Sequence, residues 1–173
     1  MPGKKHLPGM FNMNYMKKTF QIFLLLLFSA AKLCAQNPVK HIPEFTFYKL
    51  DNTVFRSSDI QSGKPVFFVF FDSSCEHCQN AMHEIDLHFS KFKNSSVYLV
   101  TLDGLQTIND FMALYAPRLS RRKNVIILRD LKNEFISSFN PRKYPSMLLY
   151  SAKGSLIAYE DDDKNISGIY NHL

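Results

Sequence analysis

The chain has 173 residues, of which 46% are hydrophobic, 14% aromatic and 21% charged, a composition typical of globular proteins. Its net charge of +6 is concentrated at the amino terminus, where residues 1–35 hold five lysines and no acidic residue. Residues 36–173 therefore carry 16 basic and 15 acidic side chains, and this balance gives no support to nucleic-acid binding. The one dense basic run, Arg121-Arg122-Lys123, is interpreted as a solvated loop.

Residues 1–35 have the pattern of a secretory signal peptide. Met16-Lys17-Lys18 precedes an apolar run over residues 22–28, and the segment ends in Leu33-Cys34-Ala35. A basic start, a short hydrophobic stretch and a small residue at the exit are typical of such signals. The stretch is also shorter than the about 20 residues that span a membrane. We expect cleavage after Ala35, with Met16 as an alternative start, and export to the bacterial periplasm.

Cys34 suggests lipid attachment at the cleavage site as an alternative. Lipoprotein signals place a small residue before that cysteine, whereas Lys32 and Leu33 stand here, so we expect Cys34 to be removed with the signal. The exported chain then keeps Cys75 and Cys78, in a compartment where a disulfide can persist.

Residues 36–43 are interpreted as a linker and residues 44–173 as one α/β domain. Strands are predicted over residues 44–50, near 54–55, and over 66–71, 97–102, 125–128, 146–150 and 156–160. Helices are predicted from the apolar spacing of residues 81–92, 108–115 and 131–139. Residues 66–71 are uninterrupted apolar side chains, which indicates a strand buried on both faces. This order of elements is typical of a layered α/β domain.

The chemistry is expected at Cys75-Glu76-His77-Cys78, which follows the apolar strand after the helix-capping residues Asp72-Ser73-Ser74. Cysteines three positions apart lie on one side of a helix's first turn. The positive end of the helix dipole stabilises a thiolate, so Cys75 is predicted to attack. Cys78, one turn further, is predicted to resolve the mixed disulfide. A protonated His77 favours the dithiol, whereas the Glu76 charge opposes it.

Two other interpretations of the cysteine pair remain. A structural zinc site needs four ligands, and the chain has no second cysteine pair. An inert disulfide across so short a loop constrains the unfolded chain little. We therefore expect no metal and no cofactor other than a redox-active Cys75–Cys78 disulfide.

Three segments together carry a family resemblance. They are Ile42-Pro43-Glu44-Phe45-Thr46-Phe47 with Leu50-Asp51-Asn52, Gly63-Lys64-Pro65 leading through the strand to the cysteine pair, and residues 144–150 followed by Lys153-Gly154. Over about residues 42–160 the chain resembles the thioredoxin superfamily, and within it the exported TlpA/ResA-like thiol–disulfide oxidoreductases. This resemblance implies an α/β thioredoxin-like fold, with a central mixed β-sheet flanked by helices and an N-terminal β-hairpin.

The resemblance also implies roles for particular residues and partners. Pro145 corresponds to the family's cis-proline facing the cysteine pair, although an ordinary proline before a strand is the alternative. The backbone of Tyr144 would then be free to pair with an extended substrate strand. The implied partners are thiols and disulfides of exported proteins, with a membrane-bound disulfide reductase as electron donor.

Departures from the family pattern leave the proton acceptor for Cys78 open. Val69 stands where thioredoxins have a buried acid, and Ala81 where the ResA-like proteins have a glutamate. The candidates that remain are Asp72, Glu84 and His83.

The predicted function is therefore thiol–disulfide exchange with exported proteins through the Cys-Glu-His-Cys pair. The alternative is a thioredoxin-fold binding module, a copper chaperone or client-binding protein without turnover. A thiol peroxidase would need a threonine and a proline upstream of its cysteine, which Asp72-Ser73-Ser74 does not supply.

Overall fold

A computed structural model describes residues 37–173, so the predicted signal peptide and Cys34 lie outside the described residues. The strands are β1 Thr46–Lys49, β2 Val54–Arg56, β3 Val66–Phe70, β4 Ser96–Thr101, β5 Val125–Arg129, β6 Ser146–Tyr150 and β7 Leu156–Glu160. The helices are α1 Glu76–Leu87, α2 Leu105–Tyr115, α3 Glu134–Phe139 and α4 Ser167–Tyr170. None of the helices within residues 37–173 has the length and apolar character needed to span a bilayer.

The strands form one seven-stranded sheet in the order β2-β1-β5-β4-β3-β6-β7. Its centre is parallel, because β4 pairs in parallel with both β3 and β5. The β1–β2 hairpin joins antiparallel to β5 on one side, and β6 and β7 are antiparallel on the other. The predicted central mixed sheet with flanking helices and an N-terminal hairpin is confirmed.

The buried strand predicted from residues 66–71 lies in the middle of this sheet. All five residues of β3 are buried, and their side chains alternate between two apolar layers. Phe67 and Val69 pack into the layer that contains α1 and α2, and Phe68 and Phe70 into the layer that contains the hairpin and α3. Both faces are thus covered, as expected for a parallel strand flanked by helices.

Helix α3 is shorter than the 131–139 segment predicted from apolar spacing. The buried Asp130 accepts hydrogen bonds from the backbone N–H groups of Glu134 (2.9 Å) and Phe135 (2.8 Å). Asn133 precedes the helix with φ of 60°, and Asn140 follows it with φ of 50°. The Asp130 cap therefore places the first turn after residue 133 rather than at residue 131.

Residues 39–42, interpreted from sequence as part of a linker, hydrogen-bond to the domain. The N–H of Val39 donates to the carbonyl of Phe139 at 3.3 Å, and the N–H of Ile42 donates to that of Gly154 at 3.0 Å. The ordered domain therefore begins a few residues before residue 44.

Candidate active site

The cysteine pair lies at the carboxyl end of the central strand. The chain leaves β3, passes through Phe71 and the Asp72-Ser73-Ser74 loop, and enters α1 with Cys75 as its N-cap residue, at φ −86° and ψ 118°. This edge of a parallel sheet is where α/β proteins commonly hold their functional groups. Because Cys75 precedes the first helical residue, it faces the positive end of the α1 dipole.

The two cysteines differ sharply in exposure. Cys75 is partly exposed, whereas Cys78 has 0% of its surface exposed. The N–H of Cys78 donates to the carbonyl oxygen of Cys75 at 3.0 Å, and both side chains are free thiols. An accessible thiol at the helix end with a shielded thiol one turn behind it matches the predicted attacking and resolving roles, which remain predictions.

Burial raises the pKa of the Cys78 thiol well above its ordinary value. The N–H of Asp72, which points at the Cys78 sulfur across 3.5 Å, acts against this rise. The neighbouring Cys75 thiol and the negative charge of Asp72 raise the pKa further. Burial therefore favours the protonated form of Cys78 in the reduced protein.

Hydrogen bonds from three directions hold the loop before Cys75. Asp72 Oδ1 accepts from the N–H of Ser74 at 2.8 Å and from its hydroxyl at 2.6 Å. The N–H of Ser73 donates to Asp103 Oδ2 at 3.1 Å, and the side-chain amide of Gln79 donates to the Ser73 carbonyl at 3.0 Å. Sequence reasoning missed Asp103 and Gln79. Asp103 could have been found, because it follows a predicted strand whose carboxyl end lies at the same sheet edge.

Tyr144 and Pro145 lie beside this loop. Strand β6 runs antiparallel to β3 with Ser146 opposite Phe70, which brings the residues before β6 to the edge where β3 ends. The Tyr144–Pro145 peptide bond is cis and Pro145 is buried. The Tyr144 ring stacks on Phe70 with 4.9 Å between centroids.

Tyr144 is in an environment that disfavours its ionised form. Burial, followed by the negative charge of Asp72, raises the pKa of Tyr144 to about 12. Its phenol is therefore neutral and lies within electrostatic reach of both Asp72 and Cys78.

His77 is held by a carboxylate that sequence reasoning missed. Its Nδ1 donates to Asp163 Oδ1 at 2.9 Å, and the side-chain amide of Asn80 donates to Asp163 Oδ2 at 3.2 Å. The Asp163 side chain is only 6% exposed. Burial raises the pKa of Asp163, but the hydrogen bonds from His77 and Asn80 and the His77 charge outweigh it and lower the pKa overall. Asp163 therefore lies where it offsets the positive charge of a protonated His77.

The other predicted supporting residues lie apart from the buried thiol. Glu76 is exposed on the first turn of α1. Glu84 pairs with His88 Nδ1 at 3.0 Å, and His83 is exposed. Glu84 follows Cys78 by six residues, which places it about 240° around the helix axis. The structure therefore brings Asp72, but not Glu84 or His83, next to Cys78.

No three His, Cys, Asp or Glu side chains within residues 37–173 are grouped so that they could hold a metal ion.

Comparison with known proteins identifies both a family and a fold. A family model described as "AhpC/TSA family" matches residues 38–158. No curated protein matches the chain significantly. The similar solved structures described next are below 25% identity, so they establish the fold alone.

A thioredoxin-like protein from Aeropyrum pernix is 13% identical with a TM-score of 0.61, covering 92% of this chain and 99% of that one. A thiol-disulfide oxidoreductase from Bacteroides fragilis is 16% identical with a TM-score of 0.62, covering 78% and 99%. A secreted Mycobacterium tuberculosis disulfide oxidoreductase, homologous to Escherichia coli DsbE, is 18% identical with a TM-score of 0.60, covering 75% and 96%. The predicted thioredoxin-like fold is confirmed.

Proposed function

The chain belongs to the AhpC/TSA family, and on that premise we propose that it is a thiol–disulfide oxidoreductase whose redox centre is Cys75 and Cys78. The observation that carries the proposal is the paired placement of the two thiols. Cys75 is accessible at the amino end of α1, and Cys78 is completely buried one turn later. A structural thiol pair does not require this difference in exposure. An attacking thiol must be accessible to the client, and a resolving thiol is shielded behind it.

The exchange proceeds in two steps. The Cys75 thiolate attacks one sulfur of a client disulfide, the client's S–S bond breaks, and one client sulfur leaves as a thiolate. Cys78 then attacks Cys75 in the mixed disulfide, the Cys75–client bond breaks, and the second client sulfur leaves. The client disulfide is reduced by two electrons and the Cys75–Cys78 dithiol is oxidised to a disulfide. The reverse sequence oxidises a client dithiol.

The proposal extends to exported clients. The predicted signal peptide supports it, and one of the similar structures is described as secreted. Thiols and disulfides of exported proteins are the proposed substrates, and a membrane-bound disulfide reductase is the proposed electron donor. Among the described residues, Tyr144 contributes no backbone hydrogen bond to the turns and loops, so its backbone is available to an extended client segment beside Cys75.

The test is a redox titration of the purified protein against glutathione or dithiothreitol, followed by alkylation of the remaining thiols. We expect one reversible two-electron transition that is lost in both Cys75→Ser and Cys78→Ser. The titration uses the chain from Gln36 onward, in which Cys75 and Cys78 are the two cysteines. A potential near about −270 mV would indicate a reductase, and one near about −120 mV an oxidant of client thiols. The absence of a reversible Cys75–Cys78 disulfide would contradict the proposal.

A further inference from the structure

Cys78 poses a chemical problem that the two-step exchange leaves open. Its thiol is completely buried, and burial keeps it protonated. The attack on the mixed disulfide needs the thiolate, so a nearby group must take the proton during that step.

Most buried or half-buried acids around the site are already committed to other hydrogen bonds. Both oxygens of Asp130 accept N–H groups of α3. Asp103 Oδ2 accepts from the Ser73 amide and from the Thr101 hydroxyl, the latter at 2.8 Å. Glu84 is paired with His88 on another side of α1. Asp130 would have to give up a hydrogen bond before it could serve Cys78, whereas Asp103 and Glu84 are held at other groups, the Ser73 amide and His88.

Asp72 differs from the other acids in its position. Its own N–H points at the Cys78 sulfur across 3.5 Å. An aspartate side chain holds its carboxylate oxygens within about 5 Å of its own amide nitrogen, which keeps the Asp72 carboxylate in the neighbourhood of that sulfur. Within residues 37–173, both hydrogen bonds to this carboxylate end on Oδ1, so Oδ2 has no donor there.

We infer that the Asp72 carboxylate takes the proton of Cys78, directly or across one bridging water, as Cys78 attacks the mixed disulfide. The inference rests on the proposed function and assigns the proton acceptor of its second step. The proton moves from Cys78 Sγ to Asp72 while the Cys78 sulfur bonds to Cys75 Sγ. The bond from Cys75 to the client breaks, and the client sulfur departs with the electron pair. In the reverse direction Asp72 returns the proton to Cys78.

The substitution Asp72→Asn tests the inference. A purely electrostatic role of Asp72 and a role as proton acceptor predict opposite changes in the rate of the second step. The negative charge of Asp72 raises the pKa of Cys78. If Asp72 acted only as a charged neighbour, Asp72→Asn would lower that pKa, increase the thiolate fraction and accelerate the second step. If Asp72 takes the proton, the same substitution slows the second step despite the lower pKa.

The assay is rapid mixing of the reduced protein with 5,5′-dithiobis(2-nitrobenzoate). Attack by Cys75 releases the first thionitrobenzoate, and attack by Cys78 releases the second. At pH 7 we expect Asp72→Asn to slow the second release by at least about tenfold, since positioned general bases contribute about 10²- to 10⁴-fold. The rate in the variant should also rise about tenfold per pH unit, because only free Cys78 thiolate then reacts. An unchanged or faster second release would overturn the inference.

The controls separate this inference from the proposed function. Asp110→Asn alters an exposed carboxylate on α2 that pairs with Gln106, and should leave both releases unchanged. If Asp72→Asn does not fold, the isosteric pair Asp72→Glu and Asp72→Gln gives the same comparison, and only the glutamate variant should retain the second release. A wild-type protein that releases only one thionitrobenzoate contradicts the proposed function itself. Two rapid releases in both wild type and Asp72→Asn overturn the Asp72 assignment alone.

Discussion

Asp86 provides the sharpest test of how α1, the helix that carries the cysteine pair, is fixed to the rest of the domain. Its side chain is buried, and Oδ1 accepts the N–H groups of Arg118 at 2.9 Å and Leu119 at 2.7 Å. The Arg118 guanidinium is 3.9 Å away and largely exposed, so it adds little. Asp86 thus joins α1 to the segment after α2, and Asp86→Ala removes that connection.

The expected loss of stability follows from these two contacts. A hydrogen bond to a charged group contributes about 1.5–3 kcal/mol, and a buried N–H left without a partner has a cost of similar size. Leu119 is buried and its amide bears the full loss, whereas Arg118 is exposed and its amide can regain a water. We therefore expect Asp86→Ala to destabilise the protein by about 3 kcal/mol. For a domain spanning residues 36–173, with an unfolding entropy of about 290 cal/mol/K, this lowers Tm by about 10 °C.

Urea unfolding at neutral pH measures this change. Asp86→Asn keeps one acceptor oxygen without the charge and should lose about half as much stability. Asp110→Ala, an exposed carboxylate on α2, is the matched control and should change the free energy of unfolding by less than about 0.5 kcal/mol. A loss below about 1 kcal/mol for Asp86→Ala would refute the reasoning, because the buried N–H groups would then have found other partners.

The remaining predictions concern the pair of Asp163 and His77 and the aromatic layer behind the site. Asp163→Asn removes the negative charge that contacts His77 on the first turn of α1, so the reduction potential measured against glutathione should become more positive; a more negative value would contradict the assigned electrostatics. The folded pKa of Asp163 lies below the 3.8 of the free group, so its stabilisation is present above that pH and is lost as the pH falls through the folded value. Urea unfolding at several pH values should show that the free energies of unfolding of wild type and Asp163→Asn converge in acid. A difference that persists in acid would exclude the ion pair as its source. The rings of Phe135 and Phe70 stack with 3.9 Å between centroids, so Phe135→Leu should lower the free energy of unfolding in urea by about 1.5 kcal/mol. Ile136→Ala, at a half-exposed neighbouring position, should lower it far less. Equal losses of stability would argue against a contribution from the stack.

Local patterns in the sequence predict most of the fold. The apolar run over residues 66–71 indicates a strand buried on both faces, and this strand lies at the centre of the sheet with both faces covered. The segment around the cysteine pair predicts a helix that begins at the thiols, and α1 begins at Glu76. The expected capping by the side chains of Asp72, Ser73 and Ser74 is wrong, because Cys75 is the N-cap residue and no side chain within residues 37–173 caps α1. Such features can be predicted from the sequence because the residues that form them are neighbours along the chain, where periodicity and capping preferences apply directly.

Pairings between distant residues depend on the tertiary structure. Asp163 meets His77 across 86 positions, Asp103 meets the Ser73 amide across 30, and Asp86 meets Leu119 across 33. Glu84, a candidate for the proton acceptor on sequence grounds, is instead paired with His88. The first three contacts have no periodic signature, because each depends on how a helix or loop docks on the sheet. Glu84 and His88 are only four positions apart. The sequence by itself places two cysteines three positions apart at the start of one helix. The packed structure decides which carboxylates surround them, because charge and hydrogen bonding act through space rather than along the chain.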